Sequence, residues 1–400
     1  MPINDTVPTP FGVAVQSPKK KSRELSGKVI VQILPALNHG GVERGTVEMA
    51  EAIIRAGGKA VVISSGGHLE NRLRRCGAEH FTLPVDSKNP LKWPFIRGKV
   101  KTVLQACQAD VVHSRSRAPA WIAMPAARAL GIKVVTTIHG RFVASSIFKR
   151  LYNSIMTKSD RVITISNYVQ GLVLNQFPAI KDKTVVIHRG VDVDLFSPKA
   201  VSAQRVINIA EDMSIPDGVP VVMLPARPTA WKGMSILIEA MGMIKDKPFL
   251  LALVGAGDGA DDFQRGLIRQ IETEGLQSKV RITKSINDMP AGLMLADVVV
   301  MPSITPEPFG RVAVEASAMG CPVVAFRHGG ASESLVHGVT GWLAEPVSAQ
   351  SLAEMISQAL ELKQRARKKL AADASAYVHK NFTSEKMCSS TIAVYTDLLS

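Results

Sequence analysis

Glu307 and Glu315 flank a short turn, P-F-G-R (308–311), that opens a helix. A loop leading into a helix N-terminus offers free backbone N–H groups and the positive end of the helix dipole. Carboxylates at such a place are poor ligands for an anion but good acceptors for hydroxyls. Amides beside hydroxyl acceptors suit a molecule that is both phosphorylated and polyhydroxylated, such as a nucleotide sugar. Phe309, Gly310 and Arg311 supply successive N–H groups at the start of a helix predicted over 312–319. Glu315 falls one turn beyond Arg311 on the same face, where it can accept from a ribose. The Glu307 loop, stiffened by Pro306 and Pro308, is placed to reach the sugar.

Four more segments put chemistry where strands are expected to end. In N-H-G-G-V-E-R (38–44), Gly40 and Gly41 let the backbone approach a phosphate ahead of a helix; an ordinary tight turn reads the same way. In T-T-I-H-G-R (136–141), His139 stands at a strand end, suited to a sugar hydroxyl or to proton transfer, although a lone histidine is commonly structural. In P-A-R-P-T-A-W-K-G (225–233), Arg227 and Lys232 share one loop and can clamp a diphosphate, the arginine through its fork and the lysine as a point charge. V-G-A-G-D-G-A (254–260) fits G-x-G-x-x-A and raises a nicotinamide dehydrogenase. It does not sit in the first βα turn, and Asp258, Asp261 and Asp262 would oppose a pyrophosphate there. Gly255 is therefore read as part of a turn near the nucleotide.

The elements that must position these residues follow a strand-loop-helix rhythm. Apolar strands are predicted at 29–34, 60–64, 110–114, 133–138, 161–165 and 184–187, with helical stretches between most of them. The rhythm breaks over 189–217 and restarts with strands at 219–226, 249–254, 280–282, 298–301 and 322–326; the stretch 348–400 is helical by pattern. Such alternation implies α/β architecture with parallel, doubly wound sheets. A chain of 400 residues exceeds what one core usually serves, so two units are expected. The divisions are a disordered basic tail (1–26), a first Rossmann-like domain (27–195), a second (196–375), and a helical segment (376–400) that could cross back to the first.

Charge is unevenly shared. Residues 1–195 hold 28 Lys and Arg against 13 Asp and Glu; residues 196–400 hold 20 against 21. The basic half points to an anionic partner such as phospholipid or an acidic glycolipid, or else to a solubilising surface. Nucleic acid is disfavoured, because basic residues do not interleave with aromatics. The four cysteines are scattered, which argues against a zinc site or a disulfide framework and fits a reducing cytosol. The sequence has no long uncharged apolar run and no signal-peptide pattern.

Together these motifs resemble glycosyltransferase family 4, the retaining, metal-independent GT-B enzymes with two Rossmann-like domains facing a central cleft. The resemblance covers about residues 28–380 and rests on E-P-F-G-R-V-A-V-E-A, the following G-C-P-V-V-A…G-G…E…G-V-T-G, and H-R-G-V-D-V-D-L-F-S-P (188–198) between the units. One departure is Pro225, where many relatives carry glycine. The resemblance implies Arg227 and Lys232 on the donor diphosphate, Glu315 on the ribose, and Glu307 with the amides of Phe309, Gly310 and Arg311 at the donor sugar. It implies Gly41 on the phosphate across the cleft and His139 on the transferred sugar. No metal or other cofactor is expected; the nucleoside-diphosphate sugar is a substrate. The expected acceptor is an anionic glycolipid or lipid-linked precursor, met by a peripheral protein at the cytoplasmic face of the inner membrane. The rivals are transfer to a soluble acceptor and a non-catalytic nucleotide-sugar-binding protein.

Overall fold

The computed structural model of the protein describes residues 23–38, 40–143, 146–258 and 262–400. Lys19–Lys21 and most of the segment 1–26 lie outside the described residues. Leu25 does not: it is fully buried, and its N–H donates to the Ala56 carbonyl, so the packed chain already begins inside the stretch read as a tail.

The first half forms a seven-stranded parallel sheet. Its strands are β1 (Val29–Ile33), β2 (Lys59–Ser64), β3 (Glu79–Thr82), β4 (Val111–Ser114), β5 (Lys133–Ile138), β6 (Arg161–Thr164) and β7 (Thr184–Val186), in the order 3-2-1-4-5-6-7. The second half forms a six-stranded sheet of β8 (Val221–Pro225), β9 (Leu250–Val254), β10 (Val280–Thr283), β11 (Val298–Met301), β12 (Val323–Phe326) and β13 (Trp342–Ala344), in the order 10-9-8-11-12-13. Parallel strands covered on both faces read as apolar runs rather than alternating ones. In β1, Val31 and Ile33 enter one core while Ile30 enters the opposite one.

The sequence pattern missed β3 and β13. β3 is E-H-F-T on a sheet edge, too short and polar to announce itself, and β13 has only three residues. The stretch 189–217, read as a break, holds the helix Ala203–Asp212, which has no buried residue of its own.

Each sheet reverses its winding between two neighbouring strands, β1 and β4 in the first and β8 and β11 in the second. Ligands bind outside the carboxyl ends of strands at such reversals. The loops after β1, β4, β8 and β11 are therefore the places to look.

The chain closes on itself. The helix Gln364–Asn381 packs on the second unit's helix Arg311–Ala318, and the final helix Ser384–Leu399 packs on Gly41–Arg55 of the first. Met387, Ile392 and the fully buried Tyr395 share a core with Ile30, Val47 and Ile53. The Tyr395 hydroxyl meets His113 Nδ1 at 2.6 Å, and His113 Nε2 meets Thr137 Oγ1 at 2.6 Å, tying this helix to β4 and β5.

Glu333, in the short helix Ala331–Ser334, links the halves a second time. It accepts from the backbone N–H groups of Asn167 and Tyr168 at 2.9 and 2.8 Å, capping the helix Asn167–Gln176, and lies 2.8 Å from His188 Nε2. Burial alone would raise its pKa, but these hydrogen bonds hold the carboxyl below its ordinary value of 4.5. A carboxyl depressed in the folded state contributes stability that is present above its unfolded pKa and lost as pH falls through the folded one. The contact is thus expected to loosen only below about pH 4.5. Glu333→Gln should loosen it at neutral pH, read as faster amide exchange at Asn167 and Tyr168; unchanged exchange would remove this role.

Candidate functional site

The carboxyl ends of both sheets face a cleft of about 410 Å³. Gly41, His139 and Arg189 line it from the first unit; Arg227, Lys232, Glu307, Phe309, Gly310 and Arg311 line it from the second. Gly41 after β1, Arg227 after β8 and the 302–310 loop after β11 arrive as the winding rule requires; His139 after β5 and Arg189 after β7 come from strands beyond the reversal, at the same carboxyl edge.

Local backbone chemistry builds the second wall. Gly233 adopts φ +75°, and a Cβ there would overlap the Pro302 carbonyl, so the Lys232 loop can touch the β11 loop only as glycine. Gly329 and Gly330 back the Glu307–Gly310 turn, with the Gly330 N–H donating to the Glu307 carbonyl at 2.8 Å. Gly310 adopts φ +87° at the cap of Arg311–Ala318. The Phe309 ring turns away from the cleft, buried against His188 and Phe382, so only its backbone serves the site.

The structure pairs residues that the sequence assigned separately. Lys232 Nζ donates to Glu307 Oε1 at 2.5 Å, and Ser303 Oγ donates to the same oxygen at 2.7 Å. Lys232 also rests over the Trp231 ring at 4.2 Å. Arg311 donates to Glu315 Oε1 at 2.8 Å, the one-turn spacing at work. The two carboxylates are therefore neutralised by neighbouring cations, and a hydroxyl would share them with those cations. Arg227 has no ion pair among the described residues.

Gly255 is not brought into the cleft. It sits at φ +92° after β9, buried, and its N–H donates to the Thr283 carbonyl at 3.0 Å. That amide is already used and is not offered to a phosphate. Gly40 precedes the helix Gly41–Arg55 in extended conformation, one residue short of the lining.

Arg189 and Arg115 were not singled out from sequence. Arg189 follows β7 inside the H-R-G-V-D linker, is 4 % exposed, and donates to the Gly41 carbonyl. Its guanidinium lies where a Cβ of Gly45 would be, so Gly45 opens the space for it. Burial, then the nearby Arg115 and Arg311 charges, push its pKa down to about 9. Arg115 follows β4, is 5 % exposed, and donates to Gln32 Oε1 at 2.8 Å. His139 is held well below its ordinary pKa by burial, then by Arg115, Arg189 and His113. It is neutral at physiological pH, and neither ring nitrogen has a partner among the described residues. For the two arginines the available signal was position alone: each follows a parallel strand at its carboxyl end.

A ring of guanidinium and ammonium groups, the shared carboxylate of Glu307, a helix N-terminus and a neutral imidazole can hold a diphosphate and its attached hydroxylated ring, while Glu315 lies behind Arg311 and outside the lining. Comparison with known proteins agrees with that chemistry. Residues 207–377 match the family model described as glycosyl transferases group 1, and residues 39–195 match glycosyltransferase family 4. A glycosyltransferase crystal structure from Rickettsia africae is 33 % identical, with a TM-score of 0.87 over 93 % of this chain and 99 % of that one. The GDP-mannose-dependent alpha-(1-6)-phosphatidylinositol monomannoside mannosyltransferase of Mycolicibacterium smegmatis is 28 % identical over 68 % of this chain and 73 % of its own. HepE of Anabaena, solved in complex with UDP, shares the fold at 23 % identity and a TM-score of 0.79, over 92 % of this chain and 100 % of that one. With two Rossmann-like units around this cleft, the chain belongs to the GT-B glycosyltransferases built from family 4 and group 1 domains.

Proposed function

We propose that this enzyme is a retaining glycosyltransferase that moves a sugar from a nucleoside diphosphate to an anionic glycolipid or lipid-linked saccharide, of the lipopolysaccharide-core or capsule type, at the cytoplasmic membrane face. The observation that carries the donor half is the meeting of cations from both units, Arg189 with Arg227 and Lys232, around one cleft. These side chains offset the charge that grows on the leaving diphosphate, which is an electrostatic role without a metal ion. The bond from the anomeric carbon to the phosphate oxygen breaks as the acceptor oxygen attacks the same face, and the acceptor proton passes to the leaving phosphate. Glu307 and the amides of Phe309–Arg311 position the sugar, Glu315 the ribose, and His139 accepts from or donates to a hydroxyl as a neutral ring.

The acceptor half rests on the surface of the first unit. The helix Ile147–Ser154 exposes Ile147, Phe148 (80 % exposed) and Leu151 beside Lys149 and Arg150. Leu91 (89 % exposed) and Phe95 stand out near Lys92 and Lys99. Trp93 stacks on Trp121 at 5.9 Å, and Trp121 Nε1 donates to the Tyr152 carbonyl, so these two elements form one face. Apolar side chains set among lysines and arginines suit an anionic bilayer surface. Among the described residues, no helix is long and apolar enough to cross a membrane.

The relatives name different nucleotides, GDP-mannose in one and UDP in another, so a screen of UDP-, GDP- and ADP-sugars by thermal shift is the direct test. One donor should raise Tm and be turned over with EDTA present. No response to any would favour a non-catalytic protein, and dependence on added metal would refute cation-only catalysis. Co-sedimentation with phosphatidylglycerol vesicles should be salt-sensitive and weakened by Phe148→Asp. No vesicle binding at low salt would sink the membrane claim and leave a soluble acceptor.

A further inference from the structure

Beyond His139 the cleft continues into a second cavity of about 260 Å³, which shares only Val42 and His139 with the first. Arg115, Ser116 and Arg117 line it from the loop after β4, Phe142 from the loop after β5, and Glu43 from the helix Gly41–Arg55. Both arginines lack a carboxylate partner among the described residues. Arg115 is 5 % exposed and is fixed by Gln32, with its Nε unpartnered. Arg117 is laid over the Phe142 ring at 5.3 Å and donates to the Arg141 carbonyl at 3.2 Å; its buried Nε is also unpartnered. Arg117 opens the helix Arg117–Arg128, and Ser116 does not cap that helix with its side chain, so the helix N-terminus adds its positive end.

Counting Glu43 against the two guanidiniums, with His139 neutral, leaves one positive charge in excess. Buried charge of one sign without a partner is costly, and an anion relieves it. The cavity is smaller than the roughly 300 Å³ at which drug-sized sites begin, which leaves space for one ring and a small substituent. Glu43 and the Ser116 hydroxyl provide acceptors for that ring's hydroxyls.

We propose that this cavity is the acceptor subsite, and that it selects a single sugar or polyol ring bearing a phosphate or carboxylate, held by Arg117 and Arg115. The inference rests on the proposed transfer to an anionic acceptor and names the part of that acceptor which is read. The accepting hydroxyl then lies at His139, the one polar side chain common to both cavities. Anything longer attached to the ring lies outside, in the direction of the exposed helix Ile147–Ser154.

The test is a titration with glucose 6-phosphate, glucuronate and glucose, each with and without saturating UDP, GDP or ADP. The two anionic probes should bind at least about tenfold more tightly than glucose, as a charge-assisted hydrogen-bonded pair predicts. Arg117→Gln should remove that preference and leave nucleotide affinity within about twofold, and Arg117→Lys should keep part of it as a point charge. Equal binding of the three probes, or a preference that survives Arg117→Gln, would overturn the proposal. Failure of every nucleotide to bind counts against the donor reading alone, because the titration without nucleotide still reads the pocket. Displacement of glucose 6-phosphate by vesicles containing phosphatidylinositol marks a lipid-borne anionic ring; its persistence marks a soluble one.

Discussion

Lys232→Ala is expected to lower kcat/KM by about 10²–10³-fold, the usual consequence of removing one group that meets charge developing on a leaving oxygen. The structure adds a second effect. Lys232 donates to Glu307, a residue only 8 % exposed, so its removal leaves a buried carboxylate whose remaining side-chain partner among the described residues is the Ser303 hydroxyl. That should cost about 1–3 kcal/mol of stability. Lys232→Ala/Glu307→Gln should therefore regain much of the lost Tm and none of the lost turnover. Steady-state kinetics with the identified donor and a thermal melt of the three variants decide it. Near-normal kcat/KM in Lys232→Ala would show that the lysine serves only to hold Glu307 in place.

Arg189→Met should separate stability from activity in the opposite sense. In the folded protein the pKa of Arg189 is pushed down from its ordinary value to about 9, by burial first and then by the Arg115 and Arg311 charges. Between those values the unfolded chain binds the proton more firmly than the folded one. The charge is thus a cost at neutral pH, relieved as pH rises above about 9. An apolar side chain of similar reach removes that cost, so the ligand-free variant should match or exceed the parent, on the order of 1 kcal/mol. The parent's advantage from alkaline pH should vanish in the variant. Turnover should fall by about 10²-fold, and the rise in Tm caused by donor should shrink, because the diphosphate loses a cation. A variant that melts far lower yet keeps its kcat/KM would make Arg189 a structural residue only.

How much of this was legible in the sequence differs residue by residue. Arg227, Lys232 and Glu307 lie in the segments that follow apolar strands, with Glu315 in the helix just beyond, and a parallel sheet delivers such segments to one edge whatever the details of packing. The Lys232–Glu307 pair was not legible, because its partners are 75 positions apart and meet only through the β8–β11 neighbourhood. Arg115 and Arg189 are single arginines after short strands; burial and the lack of a carboxylate partner among the described residues make them notable, and both are tertiary properties. Gly255 shows the converse. The glycine pattern marked a turn near the nucleotide; the structure gives Gly255 a positive φ, and which carbonyl takes its N–H depends on β10 lying alongside. β3 and β13 escaped because an edge strand needs little apolar surface to pair.

The return of the last helix to the first sheet has a bearing on how the protein is made. Tyr395 reaches His113 across 282 positions, and Met387 and Ile392 complete a core begun by Ile30 and Val47. The first unit leaves the ribosome with that flank open, and residues 196–400 take roughly 10–40 s more at about 5–20 residues per second. The core under the first sheet thus reaches its final packing only after residues 384–399 have emerged. A chain cut before that helix would carry both sheets but leave this flank of the first one uncovered.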